Sequence, residues 1–375
     1  MLKVGYDAQA FLSANGGTGK GVQLRNLVGP FLDRFVGFAS TDPNSSPLPL
    51  VQEGLSSYTL WQQLSLPASL RRHNIDLFLA PYNVAPFRLP KQTELILVLH
   101  DTILLQGFRK PDLRGRFMDF YRCLQIPRSV ARARIVLTVS EHARAEILQA
   151  FPQANVQVIP CTIPELWFDP RPLHGRAGYI LMVTSHAPHK NALGGLKGYA
   201  EYVRRVGRAA RPLKIVGLSE QQLSYRKTLA TNGSTHLVSF LPFLSEEALF
   251  EAYRDAGALL FPSFAEGFGI PMLEAMATGT PVVAARAASL PEVGADAARY
   301  FDPRDPADIA DALEAVLSDN ARSLDMTRKG LRRSLGYHPQ VVAQHVIDFW
   351  EEVAGVRPAR TLLARSAPRA VRAAV

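Results

Sequence analysis

Residues Phe264 to Glu274 read F-A-E-G-F-G-I-P-M-L-E, in which two carboxylates, Glu266 and Glu274, bracket a glycine turn and a proline of the kind that opens a helix. Just before them, Gly257-Ala258-Leu259-Leu260-Phe261 is a short apolar run of buried-strand type. Just after, Pro271 to Thr278 predicts a helix that Gly279 ends. The order is therefore strand, glycine loop, helix. In such a unit the free N–H groups and the positive dipole end of the helix face a loop with little side-chain bulk, which suits a bound diphosphate. Two carboxylates beside a phosphate site are costly unless each meets a hydroxyl or a cation. A nucleotide sugar offers hydroxyls on both ribose and hexose, so the pattern favours it over inorganic phosphate. The competing reading is a plain surface loop followed by an exposed helical Glu.

Outward from this segment, strand and helix signals alternate along the whole chain, as in open parallel sheets with helices on both faces. Strands are predicted at Leu2–Tyr6, Asp76–Ala80, Leu95–Leu99, Ile135–Val139, Val156–Ile159, Tyr179–Val183, Lys214–Val216, Leu237–Phe240, Ala258–Phe261 and Pro281–Ala284. Most are continuous apolar runs, the pattern of strands buried on both faces. At 375 residues the chain suits two domains, and Pro160 to Pro172, with prolines at 160, 164, 170 and 172, is the predicted connector.

Glu266-Gly267-Phe268-Gly269-Ile270-Pro271 with Glu274, continuing into Ala275-Met276-Ala277-Thr278-Gly279-Thr280-Pro281-Val282-Val283, resembles the signature of the retaining glycosyltransferases of family 4. The likeness runs on through Ser289-Leu290-Pro291-Glu292-Val293 and Tyr300-Phe301-Asp302-Pro303, and weaker echoes reach almost to residue 1. The resemblance implies an α/β protein of the GT-B fold, with two Rossmann-like parallel-sheet domains facing a central cleft. On this basis residues 1–165 form an acceptor-side domain, 173–336 a nucleotide-sugar domain, and 340–356 a helix crossing back to the first, followed by a basic tail at 357–375. Gln340 to Val353, with Val341, Val342, His345, Val346, Phe349 and Trp350 at helical spacing, fits that returning helix. Glu274 would accept hydrogen bonds from the ribose, Glu266 would sit near the hexose and its anomeric carbon, and the amides of Gly267, Phe268, Gly269 and Ile270 would hold the phosphates.

A second constellation, Tyr179-Ile180-Leu181-Met182-Val183-Thr184-Ser185-His186-Ala187-Pro188-His189-Lys190-Asn191, is a strand running into a loop that starts a helix. Ligands of open parallel sheets gather outside the carboxyl ends of the strands, so this end and that of Ala258–Phe261 are expected to line one crevice. Lys190 matches the lysine that neutralises the leaving diphosphate in the resembling family. Many members carry an arginine five positions earlier, where this chain has Ser185, leaving His186 and His189 as the neighbouring cations. A lysine at a helix start is otherwise disfavoured by the dipole, which is what makes Lys190 informative. In the first half, Leu95 to Leu99 ends in His100-Asp101, and His100 matches a histidine placed near the donor hexose. The alternative is a core histidine held by Asp101 or by backbone. Asn15-Gly16-Gly17-Thr18-Gly19-Lys20-Gly21 fails the Walker pattern, with Ala14 and Gly21 at required positions, and fails the dinucleotide pattern at Val22. Gly16 and Gly17 match the paired glycines of a loop that, in the resembling family, closes over donor and acceptor; a plain flexible surface loop is the alternative.

Composition fits a soluble enzyme. Two cysteines, Cys123 and Cys161, supply neither a disulfide framework nor a metal cluster and point to a reducing compartment. No apolar run approaches bilayer length and the first strand begins almost at Met1, so a cytoplasmic protein is expected, with peripheral attachment to the cytoplasmic face of the inner membrane as an option. The net charge of +9 is concentrated in the tail from Arg357 and between Phe108 and Arg134, where Arg109, Lys110, Arg114, Arg116, Arg122, Arg128, Arg132 and Arg134 stand among Phe108, Phe117, Phe120 and Tyr121. That stretch suits an anionic membrane surface or a phosphorylated lipid acceptor. Nucleic acid ranks lower, because no recognisable nucleic-acid module accompanies the charge. No Asp-x-Asp occurs, so no metal or other cofactor is expected, and the nucleotide-diphosphate sugar is a co-substrate. The expected reaction is transfer of a hexose, mannose from GDP-mannose by preference, to a glycan or lipid-linked glycan acceptor in polysaccharide or lipopolysaccharide synthesis. The Pro-His-Lys-Asn form of the phosphate loop is what tilts the donor towards GDP-mannose. A nucleotide-sugar epimerase of the same fold, or a degenerate binding protein, are the alternatives; the second requires Lys190 and Glu266 to be unable to reach a common ligand.

Overall fold

The computed structural model describes residues 2–12, 19–40, 50–107, 113–171, 178–218, 223–231 and 233–357. Two compact units divide the chain at Thr162/Ile163 and at His338/Pro339. The first is built on strands β1 (Val4–Asp7), β2 (Val36–Ala39), β3 (Leu50–Gln52), β4 (Leu77–Ala80), β5 (Glu94–Val98), β6 (Ile135–Thr138) and β7 (Val156–Val158). The second is built on β8 (Ile180–Val183), β9 (Leu213–Val216), β10 (Val238–Leu241), β11 (Ala258–Phe261), β12 (Val282–Ala285) and β13 (Ala298–Phe301).

Each unit holds one all-parallel sheet, ordered β3-β2-β1-β4-β5-β6-β7 in the first and β10-β9-β8-β11-β12-β13 in the second. Strand order reverses between β1 and β4 and again between β8 and β11, which makes those pairs the switch points where an open sheet leaves a crevice at its carboxyl edge. Central strands β1, β4, β6, β11 and β12 are buried at every residue, as the apolar runs of β4, β11 and β12 require, while β1 ends in Asp7 and β6 in Thr138. Three strands escape the sequence pattern: β2, β3 and β13. Gly37 weakens β2 on paper, yet it is needed there, because a Cβ at that position would lie 2.8 Å from the Tyr6 hydroxyl.

The helix Pro339–Ala354 belongs to the first unit, burying Val342, Val346, Phe349, Trp350 and Val353 against it. Trp350 Nε1 donates to the Leu27 carbonyl at 2.8 Å and its ring meets Phe35 edge-on at 4.8 Å. Val341 and His345, read as part of the buried stripe, face solvent instead, since the stripe continues through Ile347 and not through them.

The proline-rich connector is not a free hinge. Trp167 packs edge-on against Phe250 and Tyr253 at 5.7 and 5.5 Å and donates to Glu246, while Arg171 pairs with Glu251 and Asp255, so residues 163–171 are fastened to the second unit. Both cysteines are unpaired: Cys123 is half-buried, and burial pushes the Cys161 thiol up to about 12, as for an inert core group.

Candidate functional site

The second unit's site is built by two loops that leave the adjacent switch-point strands β8 and β11. From β11 the chain turns through Pro262 to Gly269 into the helix Ile270–Ala277, with Thr278 as its C-cap and Gly279 at φ +75° ending it. Gly269 holds φ +106°, a left-handed setting open to glycine, and a Cβ there would lie 2.7 Å from a Leu290 methyl. The loop is clamped from below. The wholly buried Ser289 hydroxyl lies 2.9 Å from the carbonyl oxygens of both Glu266 and Phe268 and donates to them by turns. With those carbonyls held inward, the open N–H end of the helix is set towards the carboxyl edge of the sheet.

From β8 the chain passes through Ser185, which accepts the Ala187 amide in a local turn, to a single 3-10 turn, Pro188–Lys190. Asn191 follows at φ +49°, a setting asparagine tolerates, and its Nδ2 donates to the Pro262 and Pro303 carbonyls at 3.0 and 2.9 Å. The Phe264 amide donates to the His189 carbonyl at 2.7 Å. These bonds stitch the two loops into one assembly.

Their product is an ion pair. Lys190 Nζ donates to both oxygens of Glu266, at 2.8 and 3.0 Å, with side chains 23% and 10% exposed. Two residues 76 positions apart thus meet over the switch point. An ammonium has three donors, and the pair uses two. Close by in the strand-end register, the Thr184 and Ser263 hydroxyls are buried with no hydrogen-bond partner, an arrangement that favours an oxygen-rich ligand. Neither was singled out from sequence, since lone hydroxyls carry no pattern.

Glu274 lies one turn into the helix, and burial raises its carboxyl from 4.5 to about 7. Tyr253 and Glu246 act on it electrostatically, although the Tyr253 hydroxyl closes no hydrogen bond of ordinary geometry. The position vacated by the expected arginine, Ser185, is a turn-former and brings no charge. His186 stacks on Tyr225 at 5.9 Å. A guanidinium arrives from another direction: Arg304, after β13, sits over the Phe264 ring at 5.5 Å. Among the described residues no three His, Cys, Asp or Glu side chains gather as metal ligands would.

The first unit has its own polar edge. His100 follows β5, nearly buried, and its Nε2 lies 3.0 Å from the Pro81 carbonyl; since a carbonyl only accepts, that nitrogen carries the proton. The His100 amide donates to Asn83 Oδ1, and Asp101 accepts the Ile103 amide. Missed from sequence is Asp7, the last residue of β1. It is buried, accepts from the Tyr58 hydroxyl at 2.8 Å and the Gln9 amide at 3.0 Å, and is nonetheless raised to about 7 by burial. Gly16 and Gly17 lie outside the described residues.

A model of the family described as glycosyl transferases group 1 matches residues 165–333. The Escherichia coli O-antigen chain mannosyltransferase B is 28% identical over 294 residues, 75% of each chain. The Salmonella typhimurium O-antigen chain mannosyltransferase RfbU is 28% identical over 262 residues, 69% of each. The solved structure of Anabaena HepE in complex with UDP and glucose superposes with a TM-score of 0.72 over 94% of this chain and 100% of that one, at 17% identity, a likeness of fold.

Proposed function

We propose that this chain, which belongs to the group 1 glycosyl transferases and has the GT-B fold, moves a hexose with retention from a nucleotide-diphosphate sugar to a glycan or lipid-linked glycan acceptor, with no metal taking part. The observation that carries the reading is the Lys190–Glu266 pair at the β8/β11 switch point, roofed by the glycine loop and the start of the helix Ile270–Ala277. On this reading the third donor of Lys190, the amides of Gly267 to Ile270 and the unpartnered Thr184 and Ser263 hydroxyls receive the diphosphate. Glu266 aims the lysine and presents its carboxylate to the hexose hydroxyls, while Glu274 accepts from the ribose.

Cleavage of the anomeric C–O bond leaves its electron pair on the diphosphate. Stabilising that charge with a preorganised ammonium and amide dipoles is the largest contribution available here, and removing one such contact typically costs two to three orders of magnitude in rate. The acceptor oxygen then bonds to the anomeric carbon from the face the diphosphate leaves, and its proton passes to the departing phosphate oxygen.

The O-antigen chain mannosyltransferase names of the two relatives favour mannose and synthesis of cell-surface polysaccharide or lipopolysaccharide, and the Pro188-His189-Lys190-Asn191 form of the loop favours GDP as its carrier. A thermal-shift and calorimetric panel of UDP-, GDP- and dTDP-sugars tests this, because a ligand of the folded state raises stability according to its affinity. GDP-mannose is expected to bind wild type and to lose affinity with Glu274→Ala. A protein that binds none of the panel, or binds equally after Glu274→Ala, refutes the assignment. NMR of the product's anomeric signal reports retention directly.

A further inference from the structure

Among the described residues eleven large hydrophobic side chains are exposed, and five of them, Leu60, Leu64, Phe87, Phe120 and Leu124, stand around a single joint in the first unit. At that joint Gln63 Nε2 donates to the Tyr121 hydroxyl at 2.7 Å, Gln63 Oε1 accepts the Phe87 amide at 2.8 Å, and the Phe87 ring meets Tyr121 edge-on at 6.2 Å. Leu60 and Leu64 flank Gln63 on one helical segment, and Phe120 and Leu124 flank Tyr121 on another. Scattered exposed Leu and Phe need no explanation, but a contiguous group does.

The helix Leu113–Arg132 makes the point sharper. It buries Asp119, Ile126, Ser129 and Val130 inward, yet Phe120, Leu124, Pro127 and Arg128, at i, i+4, i+7 and i+8, form a second stripe facing out. The charge around this face has one sign. Segments 57–71, 81–93 and 118–132 contain six basic residues and one acid, Asp119, which is buried 3.7 Å from Arg122.

We propose that this face docks on the anionic surface of a lipid bilayer, its Leu and Phe side chains entering the headgroup boundary and Arg88, Arg122 and Arg128 meeting lipid phosphates. Charge selects this occupant over a second copy of the chain, since a two-fold contact would set the cationic rim against itself. The inference rests on the proposed reading only in that a lipid-linked acceptor lies at such a surface.

The test is co-sedimentation of the full chain with vesicles of phosphatidylcholine alone and of phosphatidylcholine mixed with phosphatidylglycerol. Wild type is expected on the mixed vesicles and largely free of the neutral ones. Leu64→Gln with Phe120→Gln should weaken partitioning at least about tenfold, given the apolar burial lost. Arg88→Gln with Arg128→Gln should weaken it on anionic vesicles only. Binding to neither vesicle, partitioning unchanged by Leu64→Gln with Phe120→Gln, as attachment through the basic tail alone would give, or a dimer that those substitutions dissolve overturns the inference. A thermal shift with nucleotide sugars, measured on the same proteins, reports the donor site separately, so either idea can fail without the other.

Discussion

Glu274 offers the most discriminating measurement, because burial holds its carboxyl at about 7 while the proposed role needs it ionised. A carboxylate accepting ribose hydroxyls is favoured as the anion, so donor binding should drive the group's pKa down and expel its proton. At pH 7 about half the free protein carries that proton, so binding should release about 0.5 proton; at pH 8.5 release should vanish. Affinity should fall roughly tenfold between pH 8.5 and pH 6, the fraction already ionised being the fraction competent to bind. Calorimetry in two buffers of different ionisation enthalpy reads the released proton directly. Glu274→Gln should abolish the linkage and cost about 1.5–3 kcal/mol, the range for hydrogen bonds to a charged group. Asp7, also held at about 7 but in the first unit, is controlled by Asp7→Asn. The sign for folding is opposite in sense: the native state keeps a proton the unfolded chain loses between 4.5 and 7, so the stability Glu274 contributes is whole below 4.5 and is lost as pH rises through 7, at most about 3 kcal/mol. Heats of donor binding that are identical in both buffers at pH 7, or a pH dependence that survives Glu274→Gln, refute the placement of Glu274 against the nucleotide.

Lys190→Ala should lower kcat by about two to three orders of magnitude in a product assay while leaving the melting temperature nearly unchanged, since the pair it breaks is partly exposed. Gly269→Ala should destabilise the second unit by about 1–3 kcal/mol and raise KM for the donor, because its φ of +106° and the Leu290 methyl both resist a Cβ; urea titration gives the first number and steady-state kinetics the second. Trp350→Ala should cost about 3–5 kcal/mol in the first unit, removing a fully buried ring and orphaning the Leu27 carbonyl, and a differential scanning trace should show the loss with nucleotide affinity of the second unit preserved.

Sequence made the sheets legible because most of their strands are apolar runs, and a run such as Ala258–Phe261 states its burial without help from its neighbours. The edges were less visible for the complementary reason: the residues of β3 are all half-exposed, and β2 depends on Gly37, whose value appears only when Tyr6 lies beside it. The connector misled by composition. Its prolines announce a chain that cannot be helix or central strand, but Trp167 decides what that chain does, and its partners Phe250 and Tyr253 lie more than eighty residues on.

The site divides along the same line. Glu266, Glu274 and Lys190 were nameable because residue type and spacing carried them, whereas what makes them a site is set by contacts between distant segments. Ser289 clamps the loop from 23 residues away, Asn191 reaches 71 residues to the Pro262 carbonyl, and Tyr58 reaches Asp7 across 51. Each is a small polar side chain whose role is fixed by which carbonyl or carboxylate happens to face it, and no local pattern encodes that. Ser185 shows the converse. Its departure from the resembling family was plain in the sequence, yet only the structure shows what the position does instead, closing a turn with Ala187 while the next residue, His186, stacks on Tyr225. On the proposed reading, stabilisation of the leaving group would fall more heavily on Lys190 and the helix amides, so loss of Lys190 should be felt more here than in a site where an arginine stands at the Ser185 position.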